Sequence, residues 1–310
     1  MTKTLKIGTR GSRLALFQTH LVADLLRAAH PGLAIEIVEI KTSGDWTPAQ
    51  GETRLSAVRG GKGLFAKEIE QALTENRIDC GVHSMKDMPS FLPDGLMIRH
   101  MLKREDTRDA FLANTAHTLD DLPRGAVVGT SSTRRAAFLL AKRPDLQIVP
   151  LRGNVPTRIE KLRAGQVNAT ILALAGLNRL ELTNEIASII DIGTMLPAAG
   201  QGAIGIEMRK SDGVTRALFD DIHCRETGLR VGAERAALAT LDGSCHTPIG
   251  AHAVFNGDQL RLHVVVASLD GQVIFEETQE ELVQTESAAD ALGHSVGQSL
   301  KDRLPPGFLS

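Results

Sequence analysis

The sequence predicts an α/β protein of three domains. Two blocks of the chain, before and after about residue 103, alternate predicted strands with predicted helices, a pattern typical of a mostly parallel sheet covered by helices. From about residue 222 the pattern changes to a helix, three strands joined by tight turns, and a closing helix, which predicts a small α+β domain. The length of 310 residues is enough for two or three hydrophobic cores.

The first block opens with a predicted strand at residues 4–9. In the helix that follows, large apolar residues recur at helical spacing and form one face, consisting of Leu14, Phe17, Leu21 and Leu25. A Pro-Gly pair ends this helix, and residues 33–42 alternate as a second strand. A helix over 65–78 and a strand over 79–84 complete the block.

The second block predicts strands over 125–131, 146–152 and 169–176, with a helix between each pair. Pro156 stands in the first turn of the second of these helices, where its missing N–H is tolerated. In the third block, turns at Asn256-Gly257 and Asp270-Gly271 connect three antiparallel strands. We place domain 1 at residues 1–102 and 202–220, domain 2 at 103–201 and domain 3 at 221–310.

Composition and charge argue against several classes of function. The formal net charge is −2 and aromatic residues make up 3% of the chain, so neither a basic surface nor a stacking platform for nucleic acid is expected. The three cysteines lack disulfide or zinc spacing, and we expect no metal site. No apolar run is long enough for a secretion signal or a membrane span, so we expect a cytoplasmic protein without a membrane partner.

Basic side chains gather where predicted strands run into helices. In open α/β sheets, ligands bind beyond the carboxyl ends of strands, where helix N-termini present free N–H groups. The planar guanidinium of arginine matches a carboxylate, so the pattern predicts a ligand with several carboxylates. For any single arginine, a solvated helix position or a surface ion pair is the ordinary alternative. The candidate residues are Arg10, Ser12, Ser132, Arg134, Arg135, Arg152, Asn154, Arg158 and Arg179.

Two other segments carry candidate groups. The segment VHSMKDMPS ends a predicted strand and places Lys86 beside Asp87, which favours an ionised carboxylate able to stabilise a cation or move protons. A capping aspartate next to an exposed lysine is the alternative. The glycine-rich segment GGKGLFAKEIE lacks the spacing of a phosphate-binding loop, and we interpret it as a lid that carries Lys62 and Phe65.

Cys245 stands in the segment LDGSCHTPIG, whose glycine, serine and proline residues predict an exposed turn. The adjacent His246 could favour the thiolate form. The residues alone leave open a nucleophile of a cysteine hydrolase and a point of covalent attachment. Cys80, in contrast, is expected to be a buried apolar side chain.

Eight segments of this chain, in order, resemble the motifs of the porphobilinogen deaminase family: TRGSRLAL, GGKGLFAKEIE, VHSMKDMPS, REDTRDAF, GTSSTRR, LRGNVPTR, LPAAGQGAIGIE and GSCHTPIG. The resemblance implies a monomer of three domains, the first two built like type II periplasmic binding proteins. It also implies a transferase of tetrapyrrole (haem) biosynthesis. Such an enzyme condenses four porphobilinogen molecules head to tail and releases ammonia and hydroxymethylbilane. A non-catalytic module of two domains that binds carboxylates or other anions is the alternative function.

The same resemblance implies roles for individual residues. It implies a dipyrromethane cofactor attached through a thioether to Cys245, and catalysis by Asp87 with Lys86. Further contacts to the cofactor are implied for Asp87, Lys86, Ser132, Arg134, Arg135, Arg152 and Asn154. Contacts to the small-molecule substrate are implied for Arg10, Ser12, Lys62, Phe65, Arg152, Arg158, Arg179 and Gln201. The lid departs from the family pattern, because Val58 stands where many members have a lysine and the preceding loop is longer than in short members.

Overall fold

The computed structural model describes residues 4–44, 65–242 and 247–308. Within these ranges the backbone forms two five-stranded sheets and one three-stranded sheet, each packed against helices. This architecture confirms the predicted fold class, α/β with a small α+β unit at the C-terminal end. Among the helices in these ranges, none is both long enough and apolar enough to cross a membrane.

The first sheet collects strands from the beginning and the middle of the chain. Its strands are β1 (Leu5–Thr9), β2 (Ile35–Glu39), β3 (Cys80–Ser84), β4 (Leu96–Met101) and β10 (Ile204–Arg209), in the order β2-β1-β3-β10-β4. Its helices are α1 (Arg13–Ala29), α2 (Lys67–Thr74) and α6 (Gly213–Asp220). Cys80 is fully buried in this core, as predicted, and burial raises the pKa of its thiol.

The second sheet has the same size and a similar construction. Its strands are β5 (Asp109–Ala113), β6 (Val127–Gly129), β7 (Gln147–Val149), β8 (Ala169–Ala173) and β9 (Ser188–Ile189), in the order β7-β6-β8-β5-β9. Its helices are α3 (Thr133–Lys142), α4 (Val155–Arg163) and α5 (Leu174–Arg179). Pro156 lies in the first turn of α4, as predicted.

Both sheets are mostly parallel, as predicted, because four of the five described strands of each sheet run in the same direction and one runs against them. β10 runs antiparallel to β3 and β4, and β5 runs antiparallel to β8 and β9. The reason lies in the two segments that cross between the sheets, residues 102–108 and 190–203. Each crossing segment delivers its strand into a new sheet without a helical crossover, so the strand need not be parallel to its neighbours.

The third unit is an antiparallel sheet covered by two long helices. Its elements are α7 (Arg225–Thr240), β11 (Ile249–Asn256), β12 (Gln259–Ala267), β13 (Ile274–Leu282) and α8 (Glu286–Lys301), and the three strands pair in sequence order. The helices approach closely because α8 has a glycine at the contact. A Cβ atom on Gly293 would lie 2.2 Å from the carbonyl oxygen of Ala233.

The three units meet around the buried carboxylate of Glu234 in α7. Arg104 donates two hydrogen bonds to it, at 2.7 and 2.9 Å, and the backbone N–H groups of Gly200 and Ala253 each donate one at 2.8 Å. Arg104 and Gly200 lie on the two crossing segments. Glu234 therefore fixes both segments against the third unit.

The apolar stripe of α1 faces away from the core of the first sheet. Phe17, Leu21 and Leu25 are 40%, 37% and 38% exposed, whereas Gln18, Thr19, Val22, Ala23 and Leu26 are buried. The polar members of the buried face are satisfied locally. Gln18 Nε2 donates to Ser84 Oγ at 2.9 Å, and Thr19 Oγ1 donates to a backbone carbonyl of the preceding turn. With these hydrogen bonds made, Gln18 and Thr19 fit on the buried face beside Val22, Ala23 and Leu26.

Candidate functional site

A cavity of about 1200 Å³ is lined by residues of both five-stranded units and of α7. The lining segments follow the carboxyl ends of four strands: residues 10–12 follow β1, 84–87 end β3, 131–132 follow β6, and 152–154 follow β7. The strands of each unit therefore direct their connecting segments toward the other unit. This is the position where open α/β sheets bind ligands.

Three helices begin at this cavity, and each is capped by a residue that lines it. Ser12 caps α1, Ser132 caps α3 and Asn154 caps α4, each through a side-chain oxygen that accepts a backbone N–H of the first turn. Capping explains why a serine or an asparagine stands at each position. It also aims the positive ends of three helices into the cavity, where they favour anions.

Arg134 and Arg135 are held rigidly by one buried carboxylate. Arg134 Nη2 donates to Asp109 Oδ2 at 2.7 Å, and Arg135 Nη2 donates to Asp109 Oδ1 at 2.8 Å. The other ends of the two guanidinium groups donate to the backbone carbonyls of Leu196 and Ile171. Burial alone would raise the pKa of Asp109, but the two arginine charges outweigh it and hold the pKa well below its usual range.

The remaining predicted arginines differ in their position. Arg10, Arg152 and Arg158 line the cavity, and the guanidinium carbon of Arg10 lies 4.1 Å from the centre of the Phe65 ring, in cation–π contact. Arg179 is not among the described residues that line it. Its Nη2 donates to the carbonyl of Gly202 at 2.7 Å, and burial lowers its pKa to about 10.

Gln201 lines the cavity from the second crossing segment. Its Nε2 donates to Asp109 Oδ1 at 2.9 Å and to the carbonyl of Thr107 at 2.7 Å. Gln201 therefore shares the Asp109 carboxylate with the two arginines, and the crossing segment and the arginines form one hydrogen-bonded wall.

Lys86 and Asp87 stand on a short 3₁₀ turn, Met85–Asp87, that continues from β3 into the cavity. The loop after the turn is held by α7, because Arg235 donates to the carbonyls of Met88 and Pro89 at 3.4 and 2.7 Å. Burial lowers the pKa of Lys86 to about 8, although the neighbouring Asp87 carboxylate opposes the shift. The turn thus presents a carboxylate and a cation side by side.

Sequence reasoning missed three residues of this site: Asp109, Arg235 and Glu70. Asp109 lies within REDTRDAF, one of the segments that resemble the family motifs. The segment alone does not show which side chains pair with the Asp109 carboxylate. Arg235 lies on a predicted helix whose packing the sequence does not reveal. Glu70 lines the cavity from α2, where its helical position gives no sign of a special environment.

Two predicted site residues, Lys62 and Cys245, lie outside the described residues, as do Val58 and His246. The described residues nearest to Cys245 on either side are Asp242 and Thr247, and both line the cavity.

The wall of the cavity is predominantly basic, although the chain carries a net charge of −2. Its described acidic residues are Glu70, Asp87 and Asp242, whereas its described basic residues are Arg10, Lys67, Lys86, Arg134, Arg135, Arg152, Arg158 and Arg235. In addition, the Nε atoms of Arg134 and Arg135 are buried without a hydrogen-bond partner among the described residues. Such a wall suits a ligand with several carboxylates.

No group of three or more acidic, histidine or cysteine side chains in the described ranges could hold a metal ion.

Comparison with protein families shows which kind of anion-binding site this is. Residues 5–217 match the family model described as porphobilinogen deaminase, dipyromethane cofactor binding domain, and residues 228–302 match the model of the porphobilinogen deaminase C-terminal domain. The chain belongs to the porphobilinogen deaminase family. It is therefore a transferase of tetrapyrrole biosynthesis that acts on porphobilinogen and uses a dipyrromethane cofactor.

Solved structures similar to this chain include a periplasmic domain and two lipoproteins. The periplasmic VFT2 domain of Bordetella pertussis BvgS is 15% identical, with 71% of this chain and 86% of that chain covered and a TM-score of 0.42. A YaeC-family lipoprotein from Enterococcus faecalis is 12% identical, with 73% and 93% covered and a TM-score of 0.43. A putative methionine-binding lipoprotein from Bacillus subtilis is 11% identical, with 73% and 92% covered and a TM-score of 0.43.

The residues of the cavity fit the cofactor of the family. Dipyrromethane consists of two pyrroles that each carry an acetate and a propionate, so it brings several carboxylates to one place. The basic wall, the three helix N-termini and the unpartnered Nε atoms of Arg134 and Arg135 supply matching donors.

Proposed function

We propose that this chain assembles hydroxymethylbilane from four porphobilinogen molecules on a dipyrromethane primer tethered by a thioether to Cys245. One observation carries the proposal. A single cavity is lined by Asp87, by a basic wall with three helix N-termini, and by the described residues on both sides of the Cys245 segment.

The bound cofactor supplies a pyrrole whose free α-carbon is the nucleophile for the next unit. We assign its carboxylates to Ser132, Arg134, Arg135, Arg152 and Asn154, with Lys86 as a further cation. Arg134 and Arg135 are already fixed by Asp109, so they bind without the entropy loss of ordering two long side chains.

Asp87 and Lys86 carry the catalytic role in this proposal. The Asp87 carboxylate stabilises the positive charge that develops on the substrate as ammonia leaves, and it accepts a proton as the new carbon–carbon bond forms. Lys86, with a pKa of about 8, remains mostly protonated at neutral pH. Its charge therefore attracts the carboxylates of the substrate.

We assign the incoming porphobilinogen to Arg10, Ser12, Lys62, Phe65, Arg152, Arg158 and Gln201. The Arg10–Phe65 contact supports this assignment, because it holds a guanidinium at the N-terminus of α1. Arg179 is left out of this assignment, because it is not among the described residues that line the cavity and its Nη2 donates to the carbonyl of Gly202.

The domain boundaries, the monomeric state and the cytoplasmic location remain predictions. The presence of β10 in the first sheet supports the assignment of residues 202–220 to domain 1.

Turnover with porphobilinogen tests the proposed function. We expect the purified protein to release four molecules of ammonia for each hydroxymethylbilane formed, as measured by an ammonia assay and by absorbance of the cyclised, oxidised product. A non-catalytic anion-binding module would bind porphobilinogen and release no ammonia, and that result would contradict the proposal.

A further inference from the structure

Arg235 of α7 joins the third unit to the loop that follows Asp87. Its Nη1 and Nη2 atoms donate to the backbone carbonyls of Met88 and Pro89, at 3.4 and 2.7 Å. Met88 and Pro89 come directly after Asp87 in the chain. Arg235 also lines the cavity, and the proposed function assigns no role to it.

The turn that carries Asp87 is held at both of its ends. Inside the turn, the N–H of Met88 donates to the carbonyl of Met85 at 3.2 Å. Where the turn begins, the N–H of Met85 donates to the carbonyl of Ala203, on the second crossing segment, at 3.0 Å. The crossing segment therefore fixes the beginning of the turn, and Arg235 fixes the loop at its end.

α7 meets the same turn through a second residue, one helical turn before Arg235. Val231 is fully buried and belongs to one apolar cluster with Met85 and Met88, which are 1% and 6% exposed. Residues four apart lie on the same face of a helix, so one face of α7 supplies both the apolar and the polar contact. The apolar contact keeps the turn close to α7, and the hydrogen bonds, which are directional, fix the orientation of the loop.

The geometry of Arg235 favours a role in holding the loop over a role in binding a carboxylate. Burial lowers the pKa of Arg235 to about 10, with Glu207 opposing the shift, so the guanidinium remains charged at neutral pH. A charged donor strengthens its hydrogen bonds to the two carbonyls. An end-on contact with a ligand carboxylate would use the same two nitrogens, and Arg235 would have to release the loop to make it.

α7 also leads into the segment that contains the proposed tether. Asp242, the last described residue before Cys245, follows the end of this helix and lines the cavity. Glu234, the neighbour of Arg235, holds the helix against both crossing segments. One fixed helix therefore connects the beginning of the tether segment with the loop that follows Asp87.

We propose that Arg235 is a positioning residue for the condensation, and that it fixes the Asp87 carboxylate relative to the segment that carries the cofactor. This role rests on the proposed function. Arg235 acts through the backbone of the loop and not on the reacting atoms. Because a misplacement of about 1 Å can cost about a hundredfold in rate, its loss should impair catalysis more than binding.

Steady-state kinetics of Arg235→Gln with porphobilinogen tests this role. Glutamine has one amide nitrogen and cannot donate to both carbonyls, so we expect kcat to fall by about ten- to a hundredfold with KM nearly unchanged. Arg235→Lys keeps the charge and one donor group, and it should recover part of the loss. A raised KM with unchanged kcat would indicate that Arg235 binds the substrate, and that result would overturn the proposal.

A double-mutant cycle with Asp87→Asn tests whether Arg235 acts through that carboxylate. If it does, Arg235→Gln should lower kcat little further in the Asp87→Asn enzyme, because the group that it positions is already lost. A loss as large as the one in the parent would mean that the two residues act independently. That outcome would also overturn the proposal.

Arg230→Gln is the matched control on the same helix. Arg230 donates to the carbonyl of Ala253 within the third unit at 2.8 Å, and it is not among the described residues that line the cavity. Its replacement should leave kcat at the parent's value. Hydrogen exchange over residues 85–92 should increase in Arg235→Gln and stay at the parent's level in Arg230→Gln.

The remaining outcomes separate this role from the proposed function. Unchanged exchange over residues 85–92 in Arg235→Gln, or failure of both Arg235 variants to fold and load cofactor, would overturn the positioning role. An Arg235→Gln enzyme with the parent's kcat would do the same and leave the proposed function intact. A parent that releases no ammonia would instead refute the proposed function.

Discussion

Replacing Asp87 by asparagine is expected to reduce kcat by about 10²- to 10⁴-fold, the usual contribution of a positioned acid–base group. Asparagine keeps the shape of the side chain but can neither carry the negative charge that opposes the developing cation nor accept a proton. Binding of porphobilinogen should change little, because the arginines and the three helix N-termini that hold carboxylates are untouched. The measurement is steady-state kinetics, with calorimetry for binding.

Asp94→Asn is the matched control for this prediction. Asp94 lies in the exposed connection that follows the Asp87 turn, and it is not among the described residues that line the cavity. Its replacement should leave both kcat and binding at the parent's values. An Asp87→Asn enzyme that retains more than about a tenth of the parent's kcat would show that the carboxylate has no catalytic role.

Replacing Asp109 by asparagine is expected to lower the free energy of unfolding by about 3–5 kcal/mol, the cost of breaking a buried ion pair from one side. Asp109 is fully buried and forms ion pairs with two buried guanidinium groups, so its loss leaves Arg134 and Arg135 close together without a counter-charge. The amide can accept from one arginine but presents N–H groups to the other. Because the two arginines also supply the predicted carboxylate sites, the fraction of protein that carries cofactor should fall as well.

The stability change of Asp109→Asn also has a predicted pH dependence. The folded-state pKa of Asp109 is lowered from its ordinary value of 3.8, so its carboxylate stabilises the fold above that value. The difference between parent and variant should therefore be full at neutral pH and shrink in strong acid, where the parent's carboxylate becomes protonated.

Urea unfolding measures the stability of this variant, and intact mass measures its loading. Asp120→Asn, which removes an exposed partner of Lys142 in the same unit, is the control and should alter neither quantity appreciably. Equal stability of Asp109→Asn and the parent at neutral pH, together with full loading, would mean that Asp109 does not organise the arginine wall.

Local patterns in the sequence predicted the parts of the site that depend on single segments. The arginine clusters follow strands directly, and a strand followed by a capped helix fixes where they point. The same reasoning located the turn that carries Lys86 and Asp87. These features need only the order of elements and the general position of ligand sites in α/β sheets.

Features that depend on distant partners could not be predicted in this way. Asp109 reaches Gln201, which is 92 residues away, and Arg235 reaches Pro89, which is 146 residues away. The antiparallel strand β10 has the same cause, because it returns from the second crossing segment. On α1, Gln18 is buried and forms a hydrogen bond with Ser84, which is 66 residues away, while the apolar stripe of the helix is exposed.

The intact mass of the denatured protein tests the central claim most directly. We predict a mass that exceeds the sequence mass by two pyrrole units, and a Cys245→Ser protein without that excess. A parent of bare sequence mass should gain pyrrole units on incubation with porphobilinogen or with preformed hydroxymethylbilane. If Cys245 gains none under either condition, the tethered primer is absent and the proposed elongation in this cavity is contradicted.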